Sequence, residues 1–143
     1  CLVEIQALTA PAKAAVSRVY SDKIDSARVS RIAAILEKRA GIQFLGEDIY
    51  INVAGGIRLS ESAVDAALAA AMYSARTDVP VPVGTALFGE LSLAGEIRTV
   101  PKIKQRARTA EGLGFTNILA PENGAGITCV KDIRSLIKTV FAK

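Results

Sequence analysis

The sequence predicts an α/β domain, a mixed sheet packed with helices, and three observations carry that expectation. Stretches in which apolar and polar residues alternate recur along the chain, helical stripes of apolar residues separate them, and half of all residues are hydrophobic against 22% charged. At 143 residues the chain has the size of one domain, expected to run over 1–143, and can bury a core without metals or disulfides. Such a composition excludes intrinsic disorder.

The elements follow in order. Leu2 to Leu8 alternates, with Val3, Ile5 and Ala7 on one side, and reads as a strand that stops near Pro11. Ala12 to Asp25 has no clean period and reads as a loop or extended excursion. Asp25 or Ser26 then caps a helix whose stripe is Val29, Ile32, Ala33, Leu36 and Ala40, ending at Gly41. Arg28, Arg31, Glu37, Lys38 and Arg39 are expected on or beside its wet face. Asp48 to Ala54 sets Ile49, Ile51 and Val53 against Tyr50 and Asn52, a strand that turns at Gly55-Gly56. Ser62 to Ala75 is an alanine-dense helix. Beyond Pro80 and Pro82, Thr85 to Leu91 and Glu96 to Val100 read as a hairpin turning about Ala94-Gly95. Pro101 opens a helix over Lys102 to Leu113 with Ile103, Ala107, Ala110 and Gly114 on one side. Short strands at Asn117 to Ala120 and Ile127 to Val130 and a helix from Asp132 to Phe141 complete the pattern.

Composition narrows the chemistry. The chain has no His, which removes Ser-His-Asp and Cys-His triads and His-liganded metals. Cys1 and Cys129 are the only cysteines, too few for a Cys-rich zinc site, and they fit a reducing compartment. The longest uncharged stretch, Val79 to Gly89, is broken by prolines and falls short of the ~20 apolar residues of a membrane span. With no signal-peptide pattern at the start, a soluble, cytoplasmic protein without a membrane partner is expected. The first residue is Cys and leads directly into a strand, which suggests a fragment of a longer chain.

Charge is distributed unevenly. The net charge is +4, and between Ile97 and Ala110 there is no Asp or Glu, while Arg98, Lys102, Lys104, Arg106 and Arg108 all fall there. On a helix Lys102 and Arg106 stack four apart, as do Lys104 and Arg108, giving two basic rows that could track phosphates or simply be solvated or paired with Glu90 and Glu96. Lys131, Arg134, Lys138 and Lys143 form a second, weaker patch. There is no Trp, and the three Tyr and four Phe are scattered, so base stacking is not indicated. The glycine pairs lack the Gly-Lys-Ser/Thr ending of a phosphate loop, so ATP is not expected to bind here by that route.

The run Phe88-Gly89-Glu90-Leu91-Ser92-Leu93-Ala94-Gly95-Glu96-Ile97-Arg98, preceded by Gly55-Gly56-Ile57-Arg58 and Glu61-Ser62-Ala63-Val64-Asp65, resembles the carboxy-terminal Lon-protease-like domain of the RadA (Sms) family of bacterial DNA repair proteins. Leu2 to Leu8 and Gly112-Leu113-Gly114-Phe115 fit the same family. Between Pro11 and Asp25 the chain departs from it, with Arg18 alone in place of a Pro-Arg-Arg stretch and Lys23 in place of a Gly.

The resemblance implies a fold of the ribosomal protein S5 domain 2-like type, a ring of six subunits, contact with single-stranded or branched DNA during recombination, and a recombinase partner. It implies a bacterial cytoplasm with association to the nucleoid during repair. It also places ATP, Mg²⁺ and Zn²⁺ in a RecA-like ATPase domain and a zinc finger outside this chain, with no cofactor in this domain. Lon enzymes use a Ser-Lys dyad, in which a lysine takes the proton of the nucleophilic serine. Aligning their Pro-Ser-Ala-Gly motif with Ser62-Ala63-Val64-Asp65 puts Ala63 at the nucleophile position, and Lys104 falls at the position of the lysine. These are vestigial dyad positions, and a non-proteolytic scaffold is expected. The alternative is a Ser-Lys peptidase using Ser62 or Ser60 with Lys104. Ser62-Ala63-Val64-Asp65 also matches a capping box at a helix start.

Overall fold

The computed structural model describes residues 2–142. The strand alternation near the start becomes β1 (Ile5–Pro11), which pairs antiparallel with β3 (Glu47–Val53) so that Ile5 faces Val53 and Pro11 faces Glu47. The strand therefore lies three residues later than the alternation suggested, because its partner sets the register. Just before it, the Glu4 carbonyl accepts from Ala54 N at 3.0 Å.

The stretch expected as a loop or extended excursion contains a strand, β2 (Val19–Ser21), parallel to the other edge of β3. Three residues are too few for periodicity to register, and the strand is held by contacts distant in sequence. Tyr20 lies opposite Tyr50 and stacks on it with ring centroids 4.8 Å apart. Asp48, 2% exposed, accepts from Arg18 N at 2.8 Å and Lys13 N at 3.4 Å, tying down the approach.

Helix α1 (Ser26–Ala40) starts on Asp25, whose carboxylate accepts from Ala27 N, and stops at Gly41 in the left-handed conformation. Its stripe of Val29, Ile32, Ala33, Ile35 and Leu36 is buried against Leu68, Ala69 and Met72 of α2 (Asp65–Thr77) and Ile133 and Leu136 of α4 (Ile133–Val140). These helices and the inner face of β3 form the main core.

The expected strand from Thr85 to Leu91 is divided. Its first half, β4 (Thr85–Leu87), joins a parallel sheet in the order β4-β7-β8, with β7 (Asn117–Ala120) and β8 (Ile127–Cys129). The second half, β5 (Glu90–Leu91), pairs antiparallel with β6 (Ile97–Arg98) in the hairpin turning at Gly95. Gly89 makes the break: its φ is 153°, and a Cβ there would lie 2.4 Å from Ile97 Cγ2. Helix α3 (Ile103–Gly112) packs Ile103, Ala107 and Ala110 on Ala86, Phe88, Ile118 and Ala120, a second and smaller apolar cluster. The chain is thus a mixed α/β domain with four helices and both parallel and antiparallel strand pairs.

Two expectations about polar residues are overturned. Arg28 is not a wet-face residue. Its Nη1 donates to Asp65 Oδ1 at 2.6 Å and its Nη2 to the Ser60 carbonyl at 3.3 Å. Asp65, 1% exposed, is not the second half of a capping box either, since its other oxygen accepts from Leu91 N at 3.0 Å. The buried anion is more stable facing a cation and an amide than turned back on its own helix. Ser62 to Val64 accordingly forms a 3-10 turn with no side-chain cap, and α2 begins at Asp65.

Removing either partner of this pair leaves a buried charge or an empty anchor. Arg28→Met is expected to lower unfolding stability by about 3 kcal/mol in denaturant titration. Asp65→Asn keeps an acceptor for the Leu91 amide, so the double variant is expected to lose less than the sum of the single losses. Gly89→Ala is expected to cost about 2 kcal/mol, because the added methyl overlaps Ile97 at a crossover fixed from both sides.

Candidate nucleic-acid interface

Three buried residues at 103, 107 and 110 fix which face of α3 looks outward, leaving Lys104, Gln105, Arg108 and Thr109 exposed. Lys104 and Arg108 form the i, i+4 basic row that the spacing predicts. The second row is not built as expected. Lys102 precedes the helix in a left-handed conformation, φ 61°, so its side chain does not stack above Arg106 by helical geometry. Arg106 turns instead away from that row: its Nε donates to the Pro101 carbonyl in the preceding turn at 3.0 Å and its Nη1 to Glu61 Oε1, distant in sequence, at 2.8 Å.

Arg98 lies off the helix, in β6, and its Nη2 meets Glu96 Oε1 at 3.3 Å with both side chains mostly exposed. Water screens such a pair, so Arg98 is held only loosely. Of the five basic residues in the acid-free stretch, Lys102, Lys104 and Arg108 make no ion pair among the described residues. In the second patch Lys131, Arg134 and Lys138 are exposed, and Arg134 Nε donates to the Arg39 carbonyl at 2.7 Å. Lys143 lies outside the described residues.

Ala63 and Lys104, the two positions that the resemblance aligns with a Ser-Lys dyad, lie in different surroundings. Ala63 is 5% exposed and packs in the cluster beneath α3, its carbonyl accepting from Gly89 N at 3.1 Å. Lys104 is on the exposed face. The Ser60 and Ser62 hydroxyls make no hydrogen bond to the Lys104 amine. The Ser60 carbonyl is engaged by Arg28.

Between residues 57–61 and α3 lies a cleft of about 440 Å³. Its lining is mixed: Leu59, Val64 and Phe88 are among its apolar residues, while Arg58, Ser60, Lys102, Gln105 and Arg106 are polar, with Glu61 the sole carboxylate among the described residues. Arg106 and Glu61 also border a larger, more apolar groove of about 820 Å³ between residues 2–5, α2 and β4. Sequence reasoning did not assign Arg58 or Glu61 to this site. Glu61 meets Arg106 across 45 residues, beyond any local period, and no composition signal joins them. Cys129, in β8, is unbridged, while Cys1 lies outside the described residues. Among the described residues there is no group of three or more His, Cys, Asp or Glu that could hold a metal ion, and no helix long and apolar enough to cross a membrane.

Comparison with known proteins adds the family. The profile of the family described as ChlI, subunit ChlI of Mg-chelatase, matches residues 3–124. The DNA repair protein RadA of Treponema pallidum (strain Nichols) is 62% identical over 120 residues, 84% of this chain and 26% of that protein. Its namesake in Streptococcus pneumoniae (strain ATCC BAA-255 / R6) is 41% identical over 150 residues, 99% of this chain and 36% of that protein. The one in Brucella abortus (strain 2308) is 44% identical over 125 residues, covering 87% and 27%. The chain therefore spans only about a quarter to a third of the length of these curated relatives. By the match over residues 3–124 it belongs to the family described as subunit ChlI of Mg-chelatase, and it is homologous to a part of the DNA repair protein RadA.

Proposed function

We propose that this chain is a carboxy-terminal, Lon-protease-like scaffold domain of a RadA-type DNA repair ATPase, which supports a ring of six subunits and binds DNA without sequence preference. The observation that carries the DNA contact is the outward face of α3. Lys104 and Arg108 are exposed there and Lys102 just before the helix, none of them in an ion pair among the described residues, and Arg106 stands beside them paired with a partly exposed carboxylate. Phosphates would be met by point charges on a rigid helix, which orients a strand and carries no base information. The scattered aromatics argue against stacking as the main contribution. Single strands at branched intermediates suit this chemistry, because their backbone can follow a short row of cations.

Catalysis has no part in this reading. The resemblance to Lon enzymes aligns Ala63 with their nucleophile, and on that alignment Lys104 would be free to serve as a phosphate contact. A recombinase partner, ATP, Mg²⁺ and Zn²⁺ would belong to the longer protein, in a bacterial cytoplasm. One copy of α3 offers few contacts, so repetition around a ring would raise affinity by avidity.

Fluorescence anisotropy with a labelled single-stranded oligonucleotide tests the DNA contact. If about three phosphates are neutralised per domain, log affinity should fall with log salt at a slope of about −2. Reversing Lys104 and Arg108 to Glu should weaken every sequence alike and leave the circular dichroism spectrum unchanged. Binding indifferent to salt and to that reversal would contradict the assignment. Light scattering of the full-length protein should give a six-subunit mass, against a monomer if the scaffold reading is wrong. Casein or a fluorogenic peptide should remain uncleaved by the wild-type chain, and cleavage abolished by Ser62→Ala and Lys104→Ala would restore the peptidase reading.

A further inference from the structure

We propose that the cleft between residues 57–61 and α3 is a seat for a phosphodiester, with Arg58, Lys102 and Arg106 as its cations and Glu61 as a latch that holds Arg106 until a phosphate displaces it. This rests on the reading of the α3 face as a DNA contact and adds to it a location and a control. The 440 Å³ cleft has an apolar side, which includes Leu59, Val64 and Phe88, and its charged lining is three cations and one carboxylate, so its charge balance favours an anion. Arg58 comes from the turn after β3 and not from α3, so the seat has two walls and is not a helix face alone.

Arg106 is poised for exchange. The Pro101 carbonyl fixes its Nε, which holds the guanidinium plane at the cleft wall, and only one of its terminal nitrogens is committed to Glu61. That pair is weak in water, since the Glu61 side chain is 57% exposed and the Arg106 side chain 29% exposed. A phosphate offers two oxygens to the guanidinium fork and is drawn by Lys102 and Arg58 at the same time. Ser60, Gln105 and Thr109 supply neutral hydrogen-bonding groups around it. Glu61 thus keeps Arg106 ordered at the cleft wall and lowers affinity for chance anions.

The test uses the full-length protein, a labelled single-stranded oligonucleotide, and the variants Glu61→Gln, Arg106→Gln, their combination, and Arg58→Gln. Gln at 61 keeps an acceptor for Arg106 and removes the charge, so binding at about 50 mM salt should tighten about three- to five-fold. In the Arg106→Gln background the same change should have little effect, because the latch then has nothing to hold. Arg58→Gln should weaken binding about three- to five-fold although it lies off the helix. Wild-type binding that is unmoved by Glu61→Gln, or moved equally in both backgrounds, overturns the latch. Indifference to Arg58→Gln overturns the two-walled seat.

Absence of any binding at low salt overturns the functional reading, and the latch with it. Competition separates the sources of phosphate: an unlabelled oligonucleotide should displace the probe far better than a nucleoside monophosphate or inorganic phosphate at equal phosphate concentration. Equal displacement would assign the seat to a free phosphate compound and overturn the strand as its ligand.

Discussion

A single buried carboxylate organises the side of the molecule that matters for function. Asp65 receives the guanidinium of Arg28 from α1 and the amide of Leu91 from β5, while sitting at the first residue of α2. A charge this deeply buried is tolerable only with both partners in place, so the three elements cannot shift independently. Its negative charge also lies where the α2 dipole favours it. The neighbouring backbone closes the same knot, since Gly89 N donates to the Ala63 carbonyl and Ala66 N to the Gly89 carbonyl.

The placement of α3 follows from that knot. Once residues 60–66 and 89–91 are locked together, Ala63, Ala86 and Phe88 present a fixed apolar surface, and Ile103, Ala107 and Ala110 settle on it. The outward side of α3 is then determined, and so is the position of Glu61 opposite Arg106. The same turn holds Ala63 inward and carries Glu61 at the rim, where its carboxylate meets a cation on the helix.

What could be read from the sequence depended on the range of the interaction. The α1 stripe, its Asp25 start and Gly41 stop, the β3 alternation and the Gly95 hairpin are local patterns, and each was legible within a few residues or a helical period. Features that depend on distant partners were not. Strand β2 is only three residues long and depends on Tyr50 and Asp48 for its place. The division of residues 85–91 between two sheets depends on Gly89 meeting Ile97 and Ala63. The roles of Arg28 and Asp65 involve partners 37 and 26 residues away. The basic stretch from Arg98 to Arg108 was visible as composition, whereas the pairing of Arg106 with Glu61 and the left-handed Lys102 required the fold.

The most direct measurement of the account is amide hydrogen exchange of the full-length protein with and without a single-stranded oligonucleotide. Protection gained on binding is expected over α3 and residues 57–61 of this domain, with the α4 patch at Lys131, Arg134 and Lys138 unchanged. Protection confined to α4, or none at α3 while the strand is bound, would contradict the assignment of DNA contact to the α3 face.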